Sequence, residues 1–479
     1  MKIQYYVAVI LAVLWADFST AQSVEERNNR AVFNRIEFFF NIQQADSIYH
    51  LGSERFRNQV NPEAVQQVVD YFSAFGRMHN ANVVDFSQGV ASYEANVGER
   101  FVRIKLAIDS NLHYDLFQIQ EIPARIAQEP EEKEITPLPE NADVLDRFVD
   151  SIARSYMRYE AAKSLAIGLI SDNEVKTFFY GETTPGSGTL PHANTIYEIG
   201  SITKTFTATL LANLVENGTI QLDDSIAKFL PDSVASNPFI QKITFKSLAN
   251  HTSGLPKLPD NIDQSPQFDR ANPYAHYGRK ELFAFLKTFD NENEPGDQFE
   301  YSNLGYGLLG ELLSIITDVP FAQLVTDSIA TPLNMTNTVQ HVDAKKQQLM
   351  QPHNNKGEAV AAWQFEAMSG AGALRSTIND LLRYAHTQFL MPENTLEQAM
   401  MLTRQFSYFI PPNTDIGLAW HMNMLGDVIY YWHNGMTGGS SSYLAIAPDK
   451  STALVVLSNA AVSVDDISQD IMRRLLVAP

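Results

Sequence analysis

Residues 197–224 read YEIGSITKTFTATLLANLVENGTIQLDD, and the order of residue types in this stretch decides the fold. Ile202, Phe206, Leu210 and Leu214 recur every four positions, the spacing of one helix face, and Asn217-Gly218 supplies a C-terminal stop. Ser201 therefore falls at the start of a largely buried helix, with Lys204 three residues on. Positions i and i+3 share a helix face with Cβ atoms about 5–6 Å apart, so the lysine amine can reach the serine hydroxyl. A serine is a weak nucleophile and needs a base beside it. A lysine becomes that base once burial or a nearby positive charge depresses its pKa. Taken alone, Ser-x-x-Lys is usually an N-cap serine with a lysine on a solvated face. The apolar spacing that follows argues instead for the nucleophile–base pair, because it sets Lys204 against a core-facing helix where an unpaired ammonium is costly.

Two further elements lie outward from this stretch. Tyr301-Ser302-Asn303 follows the turn Glu294-Pro295-Gly296 and precedes the helical run Leu304–Thr317. A phenol can shuttle protons, and an Asn side chain offers both a donor and an acceptor; as an isolated tripeptide it is an ordinary loop tyrosine. His433-Asn434-Gly435 ends the strand-like Val428–Trp432. There Gly435 permits close approach to an edge strand, and N–H groups just beyond it can face an oxyanion. The competing reading is a surface His before the glycine-rich turn Gly438-Gly439.

In order and context the three elements resemble the serine β-lactamase and penicillin-binding protein superfamily, whose signature includes S-x-x-K and a later K-T-G. The chain is most similar to the branch of class C β-lactamases, DD-peptidases, D-aminopeptidases and esterases. Supporting text includes ITFKSLANHTSGLP at 243–256, EYSNLGYGLLGELL at 300–313 and SGAGALRSTINDLLRYA at 369–385, so the resemblance spans roughly residues 142–479. It implies that Ser201 is acylated, that Lys204 shares or accepts its proton, and that Tyr301 relays protons. By the same resemblance Asn303 orients substrate and holds Lys204, and His433 takes the family's basic position on the active-site strand. Gly435 lies beside the substrate, and the oxyanion hole uses the N–H groups of Ser201 and Met436.

One departure bears on substrate. His433 and Asn434 stand where β-lactamases have Lys and Thr, and losing that permanent charge and hydroxyl weakens recognition of a carboxylate. The function expected is therefore hydrolysis of amide or ester bonds in a small peptide or ester, of the D-amino-acid peptidase or carboxylesterase type. A weak β-lactamase and a non-catalytic binding or scaffold protein are the alternatives. No metal or organic cofactor is implied.

The rest of the chain is organised around this region. Val144, Phe148, Ile152 and Tyr156 mark the buried stripe of a first helix, and Ser164–Ile170 and Val175–Tyr180 follow as a hairpin. Near the end, Tyr443–Ala447 and Ala453–Leu457 flank Pro448-Asp449-Lys450 before a final helix at about 464–476. Helix–hairpin at one end and hairpin–helix at the other predict an α+β domain over 142–479. It would hold one antiparallel sheet built from both ends and flanked by helices, with a mostly helical subdomain inserted at about 201–400. Residues 22–127 read as a small α+β unit. Phe33, Ile36, Phe40, Val65, Val68, Val69 and Phe72 fall on helices, while Val102, Ile104, Leu106 and Ile108 alternate with Arg103 and Lys105. In pattern this unit resembles nuclear transport factor 2-like accessory domains. The Pro- and Glu-rich stretch at 128–141 is expected to be a linker.

Composition bounds the remaining possibilities. With 479 residues the chain can hold more than one domain, and its net charge of -20 disfavours binding to nucleic acid. Without cysteine, disulfides, thiolate catalysis, Cys-based zinc sites and a lipid-modified N-terminal Cys are excluded. Lys2, the apolar run Tyr5 to Trp15 and Ser19-Thr20-Ala21 read as a signal peptide over 1–21, so the mature chain is expected in a periplasm or outside the cell, with no stable membrane span. No HExxH, P-loop or GxSxG elbow occurs. The oligomeric state has no signature in the sequence.

Overall fold

The structure is a computed structural model that describes residues 24–87, 89–98, 100–122, 138, 141–172, 174–184, 186–343, 349–410 and 414–477. The signal-peptide reading of 1–21, and the linker reading apart from residues 138 and 141, lie outside the described residues. The chain divides into two compact units, Met1–Ala124 and Arg125–Pro479.

The N-terminal unit pairs helices α1 (Val24–Asn41) and α2 (Pro62–Ser73) with strands β1 (Met78–Ser87), β2 (Val90–Val97), β3 (Arg100–Ile108) and β4 (Tyr114–Ile122). The strands form an antiparallel meander in the order β1-β2-β3-β4. Asn61 caps α2 by accepting from the Ala64 N–H, and Pro62 suits the first helical turn. Phe33, Ile36 and Phe40 of α1 pack with Val65, Val69, Val102, Ile104 and Leu106 in one core. The fully buried Asn29 in this core has its amide paired. Asn29 donates to the Leu106 carbonyl at 2.9 Å and accepts from the Tyr93 hydroxyl at 2.8 Å.

The C-terminal unit opens with α3 (Val144–Met157), whose first turn is closed by a reciprocal Asp143–Asp146 capping box. Of the stripe expected at Val144, Phe148, Ile152 and Tyr156, Tyr156 is buried, Phe148 and Ile152 are half-buried against the core and Val144 is 64% exposed, while Val149, Ala153 and Met157 carry the rest of the contact. Periodicity shows that a helix has an apolar side, and the sheet it meets selects which row faces inward.

Strands β5 (Ser164–Ser171) and β6 (Glu174–Gly181) follow, then β7 (Tyr197–Glu198) and the long helices α4 (Thr203–Glu216) and α5 (Asn303–Thr317). The chain returns through β8 (Arg375–Ser376), β9 (Tyr408–Ile410), β10 (Thr414–Ile416), β11 (His421–Leu425), β12 (Val428–Met436), β13 (Ser441–Ala447) and β14 (Thr452–Ser458), and ends in α6 (Asp465–Leu476). The main sheet is antiparallel in the order β6-β5-β14-β13-β12-β11-β10-β9, so strands from both chain ends meet at the β5–β14 pair. Every residue of β13 and β14 is buried. On one face Leu165, Ile167, Tyr443, Leu454 and Val456 pack with α3 and α6. The alternate residues Ala166, Leu444, Ile446, Val455 and Leu457 belong to the core of the helical insertion. Layers on both faces explain why these strands read as continuous apolar runs.

No single helix among the described residues is long and apolar enough to cross a membrane. The leucine-rich α5 owes its composition to the core, where Leu304, Leu308, Leu309, Leu312 and Leu313 are fully buried.

Candidate active site

The nucleophile turn is built by clamping residues 198–201 between two strands. β7 pairs with β8, Tyr197 opposite Ser376 and Glu198 opposite Arg375. Ile199 N–H donates to the Leu374 carbonyl at 3.1 Å, while its own carbonyl accepts from Ser442 Oγ at 2.8 Å. Gly200 adopts φ +48°, a left-handed conformation that glycine enters without strain. A Cβ there would lie 2.8 Å from Met436 N; one on Gly435 would lie 2.2 Å from the Ile199 carbonyl oxygen and 2.9 Å from Ser201 N. The two glycines thus let the end of β12 touch the turn backbone to backbone. That contact brings the Ser201 and Met436 nitrogens close together. Ser201 lies in the tight turn Gly200–Ile202 that runs directly into α4, two residues before Thr203 and so at the start of the helix.

Lys204, in the first turn of α4, is fully buried. Its Nζ lies 2.9 Å from Ser201 Oγ, 2.8 Å from Asn303 Oδ1 and 2.7 Å from the Ala371 carbonyl oxygen. All three partners are uncharged. Burial, reinforced by the positive charge of Lys257, holds the Lys204 amine well below its ordinary pKa. The two carbonyl oxygens can only accept, so they take the two N–H groups of a neutral amine and leave its lone pair for the Ser201 hydroxyl. After proton transfer the third N–H of the ammonium faces Ser201 Oγ, with no partner exchanged.

Tyr301 and Asn303 straddle the start of α5. Ser302 between them caps that helix by accepting from the Gly305 N–H at 2.8 Å. The Tyr301 ring centroid stands 4.9 Å from Lys204 Nζ. Burial raises the Tyr301 phenol above its ordinary pKa, against the opposing pull of a hydrogen bond with Ser201. Of the two groups beside Ser201, the amine is therefore the one placed to accept a proton, while the phenol stays protonated and can donate a hydrogen bond. Asn303 Nδ2 donates to the Tyr274 hydroxyl at 3.2 Å, which directs Oδ1 toward Lys204.

Two imidazoles, His251 and His433, flank Tyr301, and a third, His421, packs near His433. His251 packs beneath its ring at 4.4 Å between centroids, and binds the loop on both sides of it. Glu300 N–H donates to the His251 carbonyl at 2.8 Å, and Ser302 N–H donates to His251 Nδ1 at 3.0 Å. His433 is fully buried, 6.3 Å from the Tyr301 ring and 5.6 Å from His421. Its Nδ1 donates to the Asn434 carbonyl at 2.6 Å, which leaves Nε2 as an acceptor while the ring is neutral. Burial drives His251 and His433 well below the ordinary imidazole pKa, and His421 to about 4. The strand position thus presents a neutral ring. Asn434 turns to the other face of the sheet, where its Nδ2 donates to Asp465 at 2.8 Å.

The structure brings Ser201, Lys204, Tyr301, Asn303, His433, Gly435 and Met436 together in one place. Met436, at the strand end, is 49% exposed. Sequence reasoning passed over Glu198, Gly200, His251, Tyr274, His421 and the Ala371 carbonyl. Their local signals are the Gly before Ser201 and the HTSG and SGAG segments, which lie within the stretches quoted for the family resemblance. Chemically the cluster can activate a hydroxyl with a neutral amine and protonate a leaving group.

The beta-lactamase family model matches residues 149–478. The chain belongs to the beta-lactamase family. Within this family it is a serine hydrolase, 28% identical over 339 residues to the D-alanyl-D-alanine-carboxypeptidase/endopeptidase AmpH of Escherichia coli K12, a match covering 66% of this chain and 83% of that one. It is 24% identical over 355 residues to a beta-lactamase of Psychrobacter immobilis, covering 66% and 84% of the two chains. Among solved structures, a beta-lactamase/D-alanine carboxypeptidase from Pseudomonas syringae superposes with a TM-score of 0.63 at 22% identity, over 70% of this chain and 99% of that one. A D-alanine carboxypeptidase from Burkholderia cenocepacia gives 0.60 at 24% identity, over 69% and 99%. These two place the beta-lactamase fold on the C-terminal unit and leave the N-terminal helices and meander as an addition before it.

Proposed function

We propose that this protein hydrolyses amide or ester bonds of small peptides or esters through an acyl-Ser201 intermediate, as a D-amino-acid peptidase or a carboxylesterase. The observation that carries the reading is the Lys204 amine, buried with two carbonyl acceptors and facing Ser201 Oγ at 2.9 Å. Lys204 takes the hydroxyl proton as Oγ bonds to the substrate carbonyl carbon. The N–H groups of Ser201 and Met436 hold the developing oxyanion. The proton passes from Lys204, by way of Tyr301, to the leaving nitrogen or oxygen as its bond to carbon breaks. Water then attacks the acyl-enzyme and gives a proton to the same base, Ser201 Oγ recovers one, and the product acid departs.

The neutral, buried His433 supports peptide or ester substrates over β-lactams, since it supplies no fixed cation for a carboxylate. The AmpH relative, a carboxypeptidase/endopeptidase by name, favours the peptidase branch. Export through a signal peptide over residues 1–21 belongs to the same reading, supported by the apolar run and small residues at 19–21. So does an accessory, nuclear transport factor 2-like role for the N-terminal unit, supported by its helices followed by a four-stranded meander.

Ser201→Ala decides the matter. It should abolish turnover of activated esters and D-amino-acid amides and remove labelling by a fluorophosphonate probe. Turnover retained by the variant would overturn the acyl-Ser201 assignment. A chromogenic cephalosporin assayed beside these substrates reads the weak β-lactamase alternative directly.

A further inference from the structure

We infer that Glu198 is a positioning residue for the oxyanion hole, tying the Ser201 turn to the Met436 end of β12 so that their two N–H groups stay convergent. The inference rests on the acyl-Ser201 reading above and assigns a residue outside it. Glu198 stands three positions before the nucleophile and is 4% exposed. One carboxylate oxygen accepts from the Trp363 N–H at 2.7 Å. The other accepts from Thr437 Oγ1 at 3.0 Å and Ser440 Oγ at 3.4 Å. Thr437 directly follows Met436, and the turn it opens is closed by Thr437 N–H donating to the Ser440 carbonyl at 2.9 Å. With Ser442 Oγ holding the Ile199 carbonyl at 2.8 Å, residues 198 and 199 grip both sides of the turn between β12 and β13.

A carboxylate suits this place. It is acceptor-only at both oxygens and so serves donors from two segments at once, whereas an amide must present an N–H at one of them. Its charge is opposed by Arg375, across the β7–β8 pair with Nη2 3.9 Å away. Arg375 in turn donates to the carbonyls of Ala373 at 2.8 Å, Gln340 and Trp363, which fixes the same wall of the site. Burial raises the Glu198 carboxyl above its ordinary pKa, against the opposing pull of Arg375 and of its hydrogen bonds from Thr437, Trp363 and Ser440. A buried ion pair is costly to assemble, and apolar side chains could pack the same gap. The polar arrangement instead gives a directed contact to the residue after Met436.

The test compares an oxoester with its thionoester, in which sulfur replaces the carbonyl oxygen and bonds poorly to an oxyanion hole. Wild-type enzyme should prefer the oxoester. Glu198→Gln should lower kcat on the oxoester by roughly 10²-fold, the scale of an ångström misplacement, with KM little changed and the oxo/thiono preference reduced. If Glu198→Gln does not fold, Thr437→Val reads the same tether from its other end and should reduce the preference likewise. A folded variant with unchanged kcat, or with reduced kcat and an unchanged oxo/thiono ratio, overturns the inference. Failure of the parent reading is distinct: wild-type enzyme would then form no adduct at Ser201 at all.

Discussion

Asn303 Oδ1 accepts from Lys204 Nζ at 2.8 Å, so the residue that anchors the amine is a neutral carbonyl across 99 positions of sequence. Were it a carboxylate, the ammonium form would be favoured and the base lost at neutral pH. Asn303→Asp should therefore move the acid limb of kcat/KM to higher pH, lowering activity at pH 7 by about tenfold for each unit of displacement and restoring it in alkali. Asn303→Ala should lose activity without that recovery. Full pH–rate profiles of both variants check the pair.

Lys257 acts on the same amine from the exposed surface, lowering the Lys204 pKa by repulsion after the larger effect of burial. Lys257→Glu should raise that pKa and shift the acid limb upward, by less than Asn303→Asp because solvent screens an exposed charge. Added salt should shrink the difference from wild type.

The imidazoles predict a stability profile. His251, His421 and His433 have folded-state pKa values below that of a free imidazole, with His421 at about 4. The unfolded chain takes up these protons near pH 6.5 and the folded chain does so only at lower pH, so stability falls as pH drops from about 6.5 toward 4. Protonation at His251 Nδ1 would also sacrifice its bond from Ser302 N–H. Melting temperatures across this range should show the fall, and His421→Phe should flatten part of it.

Gly435→Ala tests the backbone contact between β12 and the nucleophile turn. The added methyl would lie 2.2 Å from the Ile199 carbonyl oxygen and 2.5 Å from Ser442 Oγ, and neither main chain can yield without moving Ser201. Activity should drop by about 10²-fold or more. Circular dichroism should still report a folded chain, since the strand's own pairing with β13 survives.

What the sequence by itself determined is local or periodic. Ser201 and Lys204 are three residues apart, so helix geometry alone sets their meeting. The hairpins at 164–181 and 441–458 announce themselves through alternating or apolar runs and turn residues, and their places near the two ends of the domain imply a sheet assembled from both. That the strand position carries no permanent charge was also legible, because a His stands there in place of a Lys.

Tertiary structure alone decided the rest, since it depends on where distant segments return. Lys204 finds the Ala371 carbonyl 167 positions away, and Glu198 finds Thr437 across 239. A main-chain carbonyl carries no mark in the sequence of the partner it will meet. Nor does periodicity choose between Val144 and Val149 as the row of α3 that is buried. Burial is what turns Lys204 into a base and His433 into a neutral ring, and burial is a property of the assembled core that no single segment carries.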